Sequence, residues 1–394
     1  MNLMYKFRLY PNKRQIKILE EHFELCRQTY NWLLLHCRET YKKSKKNPTQ
    51  FNMQNLLVPF KIQRNELNQI YSQVLQNVAK RIKNAYKGFY ARRKAGLKAG
   101  LPRFKKYGRY KSLTYPQFGF KIDGNKLKLS KIGNIRIKQH REIQGKIKTL
   151  TVKRTASGRW FACFSCIVED RHVEKSFKEV GIDVGLESFA VLSDGTTIEN
   201  PRYYRKEKQR LARLQRRLSR KKKGSRNRNK ARVKVARLHE KIRNKRLNFL
   251  HKASRQIADK YETVYVEDLI ISNMMRNHRL AKSISDASWN KFTQMITYKE
   301  SQSGRRIIKV NPRNTSQICS QCGELVEKTL SERIHECPHC GVVLDGDLNA
   351  SRNILKIGKE FAEFTPVGEE TTIQPKSAEQ VSSMNQEIHV LRHG

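Results

Sequence analysis

Two pairs of cysteines near the C-terminus constrain the fold more than any other feature of the sequence. Cys319 and Cys322 form one C-x-x-C pair, and after a gap of fourteen residues Cys337 and Cys340 form a second. Each pair can direct two thiolates at one ion, so the pattern predicts a structural zinc site of the zinc-ribbon type. Two disulfides are the alternative, which an intracellular setting disfavours. Four thiolates fill the coordination sphere, and the Zn²⁺ is therefore expected to stabilise a fold and to perform no chemistry.

Two glycines and two histidines accompany this motif. Gly323 and Gly341 directly follow the cysteine pairs, where each knuckle must bend tightly. His335 and His339 are interpreted as surface residues, because the four cysteines already complete a zinc site.

The remaining cysteines have structural interpretations. Cys26 and Cys37 lie on a helical stripe of apolar residues and are expected in a core. Cys163 and Cys166 also have C-x-x-C spacing, but the surrounding RWFACFSCIV is typical of a strand. A spacing of three places two strand side chains on opposite faces, so this pair is a poor metal site.

The net charge predicts a polyanionic partner. The 394 residues include 82 Lys or Arg and 35 Asp or Glu, a formal charge of +47. Such an excess repels itself unless phosphates or other anions neutralise it. A membrane surface is the competing partner, but the sequence contains no apolar run of about 18 residues and no signal-peptide pattern. We therefore expect a soluble cytoplasmic protein of a prokaryote that does not bind membranes and acts at the nucleoid.

Apolar periodicity divides the N-terminal half into strands and helices. Residues 1–10 alternate as a strand, whereas residues 16–37 and 66–90 have helical periods. Residues 112–168 return to a period of two with turn signals at 123–125, 132–134 and 156–158, which predicts an antiparallel barrel or curled sheet. The first strand is expected to join this sheet, so that the helices are an insertion.

The C-terminal half has a different order of elements. Strands are predicted within 178–199, at 263–269 and at 305–312, with a helix near 288–299 before the last of them. Three strands, a helix, a strand, a helix and a strand is the order of a ribonuclease H-like fold. The chain is thus predicted to be an α+β multidomain protein, with a disordered tail from 359 that carries six Glu and three Lys or Arg.

A basic segment separates the third and fourth of these strands. Residues 202–246 contain 22 Lys or Arg and two acids, a net charge of +20. Leucines at helical spacing on either side of KKKGSRNRNK predict a helical hairpin with one thin apolar face and a wide cationic face. A solvated charged helix pair is the alternative. The predicted nucleic-acid-binding residues are Arg213, Arg216, Arg217, Arg220, Lys221, Lys222, Lys223, Arg226 and Arg228.

Aromatic residues give a second set of candidates for contacts with nucleic acid. Tyr5, Phe7 and the aromatic and basic stretch 87–110 could contact a guide or a duplex, although core packing is the alternative for each ring.

Three acids occupy positions that would converge in a ribonuclease H-like fold. Asp183 interrupts an apolar strand, Glu267 ends another, and Asp347 opens a predicted helix. Taken singly, they could be a turn acid, a strand-end residue and a helix N-cap. Taken together, they form a hard-oxygen cluster suited to Mg²⁺, which could hold two ions about 3.5 to 4 Å apart for phosphodiester hydrolysis. Asp345 could be the metal ligand instead of Asp347, but Asp347 is better placed to open the helix.

The motifs GIDVGL, VEDL, TSQICSQCG with CPHCG, and DGDLNASRNIL together resemble TnpB, a family of transposon-encoded RuvC-type nucleases related to type V CRISPR effectors. The resemblance extends from YKFRLYPNKRQ to about residue 358. It implies that Asp183, Glu267 and Asp347 are the catalytic triad and that the four cysteines bind zinc. One departure is Asp345-Gly346-Asp347, where the family has a basic residue between the two acids.

The resemblance also implies the domain order and the partners. Residues 1–15 and 108–176 would form a wedge-like β-barrel and 16–107 an inserted helical recognition domain. Residues 177–312 and 343–360 would form the RuvC-like nuclease domain, 313–342 the inserted zinc ribbon and 361–394 the tail. The implied function is an RNA-guided DNA endonuclease that uses a guide RNA from the transposon end and cuts target DNA beside a short flanking motif. A repressor that binds without cutting and a DNA transposase are the alternatives.

Overall fold

The computed structural model describes residues 2–169, 176–329 and 332–363. Its strands are β1 (Asn2–Tyr10), β2 (Ser112–Tyr115), β3 (Phe120–Asp123), β4 (Lys126–Leu129), β5 (Gly133–Lys138), β6 (Lys146–Arg154), β7 (Trp160–Ile167), β8 (Glu179–Asp183), β9 (Ser188–Leu192), β10 (Thr197–Glu199), β11 (Thr263–Glu267), β12 (Arg306–Val310), β13 (Ile334–Glu336) and β14 (Val343–Asp345). Its α-helices are α1 (Lys13–Ser44), α2 (Gln50–Asn55), α3 (Leu57–Gln63), α4 (Ser72–Lys94), α5 (Tyr203–Ser219), α6 (Arg226–Lys260), α7 (Ile271–Met274), α8 (Ala281–Ala287), α9 (Trp289–Gln302) and α10 (Gly346–Glu363).

Two compact units share these elements. Unit 1 comprises Met1–Val173, Tyr203–Phe249 and Gln302–Gly304, and unit 2 comprises Glu174–Arg202, Leu250–Ser301 and Arg305–Gly394. The basic hairpin thus groups with the N-terminal elements. The predicted domain boundaries remain predictions. None of the helices in the described ranges combines the length and the apolar character needed to cross a bilayer.

The N-terminal strand joins the sheet of unit 1, as predicted. Seven antiparallel strands in the order β2-β6-β7-β1-β5-β4-β3 form a near-closed barrel, with β1 between β7 and β5. Strand alternation turns Tyr5, Phe7 and Leu9 into the buried core. Core packing, the alternative given for these aromatic residues, therefore holds for Tyr5 and Phe7, because neither ring is accessible.

Helices α1 and α4 contribute to the same core. Asn12 and Gln15 form a capping box that starts α1 three residues before the predicted start. Cys26 and Cys37 are fully buried on α1, as predicted. The sequence patterns missed the short helices α2 and α3.

The basic segment forms the predicted helical hairpin. Helices α5 and α6 meet through Leu211, Leu238 and Ile242, the buried part of a thin apolar seam. Arg228 is partly buried at the turn, where its Nη1 donates hydrogen bonds to the carbonyl oxygens of Leu218 (3.0 Å) and Lys221 (2.7 Å). This guanidinium therefore helps to close the hairpin.

Unit 2 contains a five-stranded mixed sheet in the order β10-β9-β8-β11-β12. Strands β8, β9 and β10 are antiparallel neighbours, whereas β11 runs parallel to both β8 and β12. This topology confirms the ribonuclease H-like order predicted from the sequence.

Helix α10 packs closely on the sheet of unit 2. A Cβ on Gly181 of β8 would lie 2.1 Å from the Ser351 carbonyl oxygen, and a Cβ on Gly358 would lie 2.1 Å from Tyr265 Cδ1. Glycine at 181 and 358 therefore lets the helix approach the strands. The helix continues to Glu363, beyond the predicted start of the tail at 359, and 364–394 lie outside the described residues.

Candidate active site and metal centre

The four cysteines form a compact thiol cluster. Their Sγ atoms all lie within 4.8 Å of one another, with 3.7 Å between Cys319 and Cys340 and 3.6 Å between Cys322 and Cys337. A disulfide would need about 2.05 Å. A tetrahedral zinc with bonds of about 2.3 Å separates its sulfurs by roughly 3.8 Å, so the cluster has the spacing of a zinc site.

The two knuckles use the same backbone hydrogen bonds. The amides of Gly323 and Gly341 donate to the carbonyl oxygens of Cys319 and Cys337, both at 2.9 Å. Their φ angles of +85° and +71° lie in the left-handed region, so the predicted requirement for glycine is confirmed.

The two histidines differ in exposure. His339 is exposed, as expected, but the expectation that His335 is a surface residue is wrong, since it is fully buried in β13. The reason is the pairing of β13 with β14, which turns every second side chain inward.

Cys163 and Cys166 both lie in β7 and are buried as free thiols. Within the described residues, they belong to no group of possible metal ligands of the kind formed by the four later cysteines.

Adjacent parallel strands bring two of the predicted catalytic acids together. Asp183 is the last residue of β8 and Glu267 is the last residue of β11. Ile182 pairs with Val266 in the register between these strands, so both acids stand at the carboxyl edge of the sheet. Ligands of mixed and parallel sheets bind at this edge.

Helix α10 brings the third acid to the same edge. Asp347 lies in its first turn, and Asp347 Oδ2 is 3.6 Å from the position that a side chain on Gly185 would occupy. Asp347 therefore faces the chain that immediately follows Asp183.

The helix cap separates the roles of Asp345 and Asp347. Asp345 Oδ1 accepts hydrogen bonds from the backbone amides of Asp347 and Leu348, both at 3.0 Å. Asp345 is thus the N-cap, and the interpretation of Asp347 as a cap is wrong. The Asp347 carboxylate remains available to the cluster.

The carboxylates interact strongly. Burial raises the pKa of Asp183 well above its ordinary range, and the negative charges of Glu267, Asp347 and Asp345 raise it further. Burial also raises the pKa of Glu267 and of Asp347. Ionising these carboxyl groups together is unfavourable unless a cation is bound. This property is expected of a site for a hard divalent ion.

Thr315 and two buried asparagines complete the surroundings. Thr315 Oγ1 donates a hydrogen bond of 2.6 Å to Glu267 Oε1 and so orients that carboxylate. Asn353 Nδ2 donates to the Thr315 and Ile318 carbonyl oxygens, and Asn349 also donates to Ile318. These contacts tie α10 to the start of the first knuckle. The sequence interpretation missed them, although two asparagines four residues apart in the predicted helix were a visible signal.

The predicted nucleic-acid-binding residues lie at the tip of the hairpin. Eight of the nine are exposed, and Arg228 is the partly buried member. The exposed side chains form the basic tip, defined here as Arg213, Arg216, Arg217, Arg220, Lys221, Lys222, Lys223 and Arg226.

Comparison with known proteins identifies the relatives of this chain. Three family models match it, described as "Probable transposase" (OrfB_IS605) over 163–278, "Cas12f1-like, TNB domain" over 289–354 and "Helix-turn-helix domain" over 1–46. A Streptomyces pristinaespiralis protein named "Putative RNA-guided DNA endonuclease" is 34% identical over 371 residues, covering 90% of this chain and 89% of the relative. The chain belongs to the TnpB (OrfB_IS605) family.

Other comparisons agree with this family. The Escherichia coli K12 protein named "Putative RNA-guided DNA endonuclease InsQ" is 34% identical over 375 residues, covering 90% of this chain and 92% of the relative. The fold is similar to that in the cryo-EM structure of a Cas12f1-sgRNA-target DNA complex, with a TM-score of 0.57 and 17% identity over 90% of this chain and 98% of that one. Residues 2–44, which match the helix-turn-helix model, contain strand β1 and the single helix α1.

Proposed function

We propose that this protein is an RNA-guided DNA endonuclease of transposon origin that hydrolyses phosphodiesters at the cluster of Asp183, Glu267 and Asp347. The observation that carries the proposal is the division of roles between Asp345, which caps α10, and Asp347, whose carboxylate faces the chain at Gly185, two residues after Asp183. The names of the two relatives at 34% identity support the same function.

The donor set fits Mg²⁺. Carboxylate oxygens are the ligands that this ion prefers, and the mutual repulsion around Asp183 would be relieved by a divalent charge. Asp183, Glu267 and Asp347 would hold the metal. When bound, it would supply a nucleophilic hydroxide from water and neutralise charge on the phosphate.

The chain itself fixes where the ligands stand. Thr315 restricts the Glu267 carboxylate through its hydrogen bond, and the Asp345 cap fixes the first turn of α10 that carries Asp347. These contacts reduce the reorganisation needed when substrate arrives.

The basic tip is proposed to bind the backbone of the guide RNA. Its eight exposed cations are grouped on one hairpin, and acids in the surrounding segment 202–246 are limited to Glu207 and Glu240. Phosphate contacts of this kind supply affinity without reading sequence, which base pairing would provide. The four-cysteine site is proposed to hold a structural Zn²⁺ that keeps the ribbon folded beside α10.

Cleavage is favoured over binding alone. A repressor on this fold has no need for three acids, a restraining threonine and a separate helix cap, all of which this chain retains. Strand transfer by related folds usually uses acids in the order Asp, Asp, Glu, whereas here the order is Asp, Glu, Asp.

The test begins with the RNA that co-purifies when the protein is expressed with its native flanking DNA. That RNA is sequenced, and the complex is then incubated with Mg²⁺ and plasmids that carry a matching target beside a randomised flank. One defined RNA together with cutting beside one flanking motif is expected. Specific binding without cutting would favour the repressor, and the absence of any enriched RNA would refute guided recognition.

A further inference from the structure

The cysteine cluster of the zinc ribbon has a buried side and an exposed side. Cys319 and Cys337 are fully buried, whereas Cys322 and Cys340 are exposed. Four thiolates and one Zn²⁺ have a combined charge of −2. Water can donate hydrogen bonds to the exposed sulfurs, but a buried thiolate depends on donors that the protein supplies.

The surroundings of Cys319 provide such donors. Burial raises the pKa of the Cys319 thiol. The backbone amides of Cys322 and Gln321 stabilise the thiolate and, together with the side chain of His335, lower the pKa to about 6. The two amides belong to the knuckle itself, whereas His335 belongs to strand β13.

The ring nitrogens of His335 have no other evident use. The side chain is fully buried, and neither Nδ1 nor Nε2 has a well-formed hydrogen bond in the described part of the chain. Its partner in the register of β13 and β14 is Leu344, whose side chain accepts no hydrogen bond. A buried polar atom without a partner lowers stability, and a phenyl ring would fill the same space without this penalty. The imidazole therefore requires an explanation beyond packing.

We propose that His335 is a positioning residue of the zinc site and that its ring N–H donates a hydrogen bond to the zinc-bound Cys319 thiolate. The proposal rests on the proposed structural Zn²⁺. A neutral imidazole has one N–H donor, and metal binding deprotonates the thiol, which makes its sulfur a charged acceptor. Hydrogen bonds to metal ligands orient them and increase the affinity for the metal.

The position of Cys319 extends this effect to helix α10. Its two neighbours in sequence both contact Asn349 of that helix. Asn349 Nδ2 donates to the Ile318 carbonyl oxygen, and the Ser320 amide donates to Asn349 Oδ1, both at 2.8 Å. A hydrogen bond from His335 to Cys319 would therefore join strand β13 to the knuckle that contacts α10.

Four variants of the complete protein separate a hydrogen bond from packing. His335→Phe keeps an aromatic ring and removes both nitrogens. His335→Asn and His335→Gln place an amide N–H near the positions of Nδ1 and Nε2, respectively. His339→Phe is the matched control, because it removes an exposed imidazole from the same ribbon.

Two measurements are made on each variant. Zinc affinity is obtained by competition with a chromogenic chelator. For spectroscopy, the protein is produced with Co²⁺ in place of Zn²⁺, so that the metal enters during folding, and the thiolate-to-Co²⁺ charge-transfer band is recorded. Loss of a hydrogen bond raises the electron density on sulfur and shifts this band to longer wavelength.

His335→Phe is expected to bind zinc about 10- to 100-fold more weakly than the wild type and to shift the charge-transfer band to longer wavelength. At least one of the two amide variants should recover most of the affinity and the original position of the band. His339→Phe should match the wild type in both measurements.

Wild-type affinity in His335→Phe would make His335 a packing residue and would overturn the proposal. Equal loss of affinity in all three variants at 335 would also overturn it, because the loss would then depend on shape and not on a donor. A wild-type Co²⁺ spectrum typical of three thiolates and one nitrogen would make His335 a ligand instead. If the wild-type protein bound neither metal, the zinc site itself would be refuted.

Discussion

The close approach of α10 to β8 predicts that one methyl group will disrupt catalysis. A Cβ on residue 181 would lie 2.1 Å from the Ser351 carbonyl oxygen and 2.6 Å from the Leu355 amide nitrogen. Ordinary contact begins near 3.4 Å, so Gly181→Ala requires the helix to move by about 1.3 Å. Asp347 lies one turn before Ser351, and a shift of the rigid helix moves its carboxylate by a similar amount.

We expect Gly181→Ala to reduce single-turnover cleavage by about 10²-fold, because misplacement by 1 Å can have an effect of that size. Overpacking of this interface should also lower the free energy of unfolding by about 1 to 3 kcal/mol. Guide RNA affinity, measured by filter binding, should stay unchanged, since the basic tip is in a different part of the chain.

Gly88→Ala is the matched control for this substitution. Gly88 lies in helix α4, where an added Cβ meets no atom within 4 Å. Alanine there should preserve cleavage and raise the stability of the protein by about 0.5 to 1 kcal/mol. Wild-type cleavage by Gly181→Ala would refute the argument that contact between α10 and β8 positions Asp347.

Three further predictions concern stability, zinc and RNA. Burial raises the pKa of Glu300 from its ordinary 4.5 to about 8, and both oxygens lack hydrogen-bond partners in the described structure. A raised carboxyl pKa lowers the stability of the fold as pH rises from 4.5 to 8. In urea unfolding, the free energy of unfolding of Glu300→Gln relative to that of the wild type should therefore increase by about 3 kcal/mol, or two pKa units, from pH 6 to pH 9. A difference that does not change with pH would contradict the burial of an acid. Cys337→Ser should lose its zinc and yield less soluble protein, and one equivalent of zinc found by metal analysis would disprove the four-thiolate site. Replacing Lys221, Lys222 and Lys223 by glutamine should reduce the salt dependence of RNA binding by up to about 2 in the log-log slope; an unchanged slope would indicate a solvated hairpin.

Local periodicity and ligand spacing predicted much of the fold. The alternation in β1, the period of α1 and the apolar run of β11 depend on burial of one face, which the sequence records directly. The cysteine spacing likewise reflects the short reach of two knuckles around one ion. The family resemblance pointed to Asp183, Glu267 and Asp347 because their motifs keep a fixed order along the chain.

Long-range contacts account for most of what the sequence did not predict. The burial of His335 depends on the pairing of β13 with β14. The role of Arg228 in closing the hairpin depends on its hydrogen bond to the Leu218 carbonyl oxygen, near the end of α5. Thr315 and Arg333 lie 48 and 14 residues from the acids that they contact, so no local period marks them. The choice between Asp345 and Asp347 required the hydrogen bonds at the start of α10.

Guided cleavage by Asp347→Asn and Asp345→Asn is the most direct test of the account. Asparagine removes one negative charge at either position, but at 345 it still caps the helix about as well as aspartate. The account predicts that Asp347→Asn binds guide and target without cutting, whereas Asp345→Asn cuts at a rate close to that of the wild type. The proposed catalytic centre would be contradicted if Asp347→Asn cut the target, or if cleavage were lost in Asp345→Asn alone.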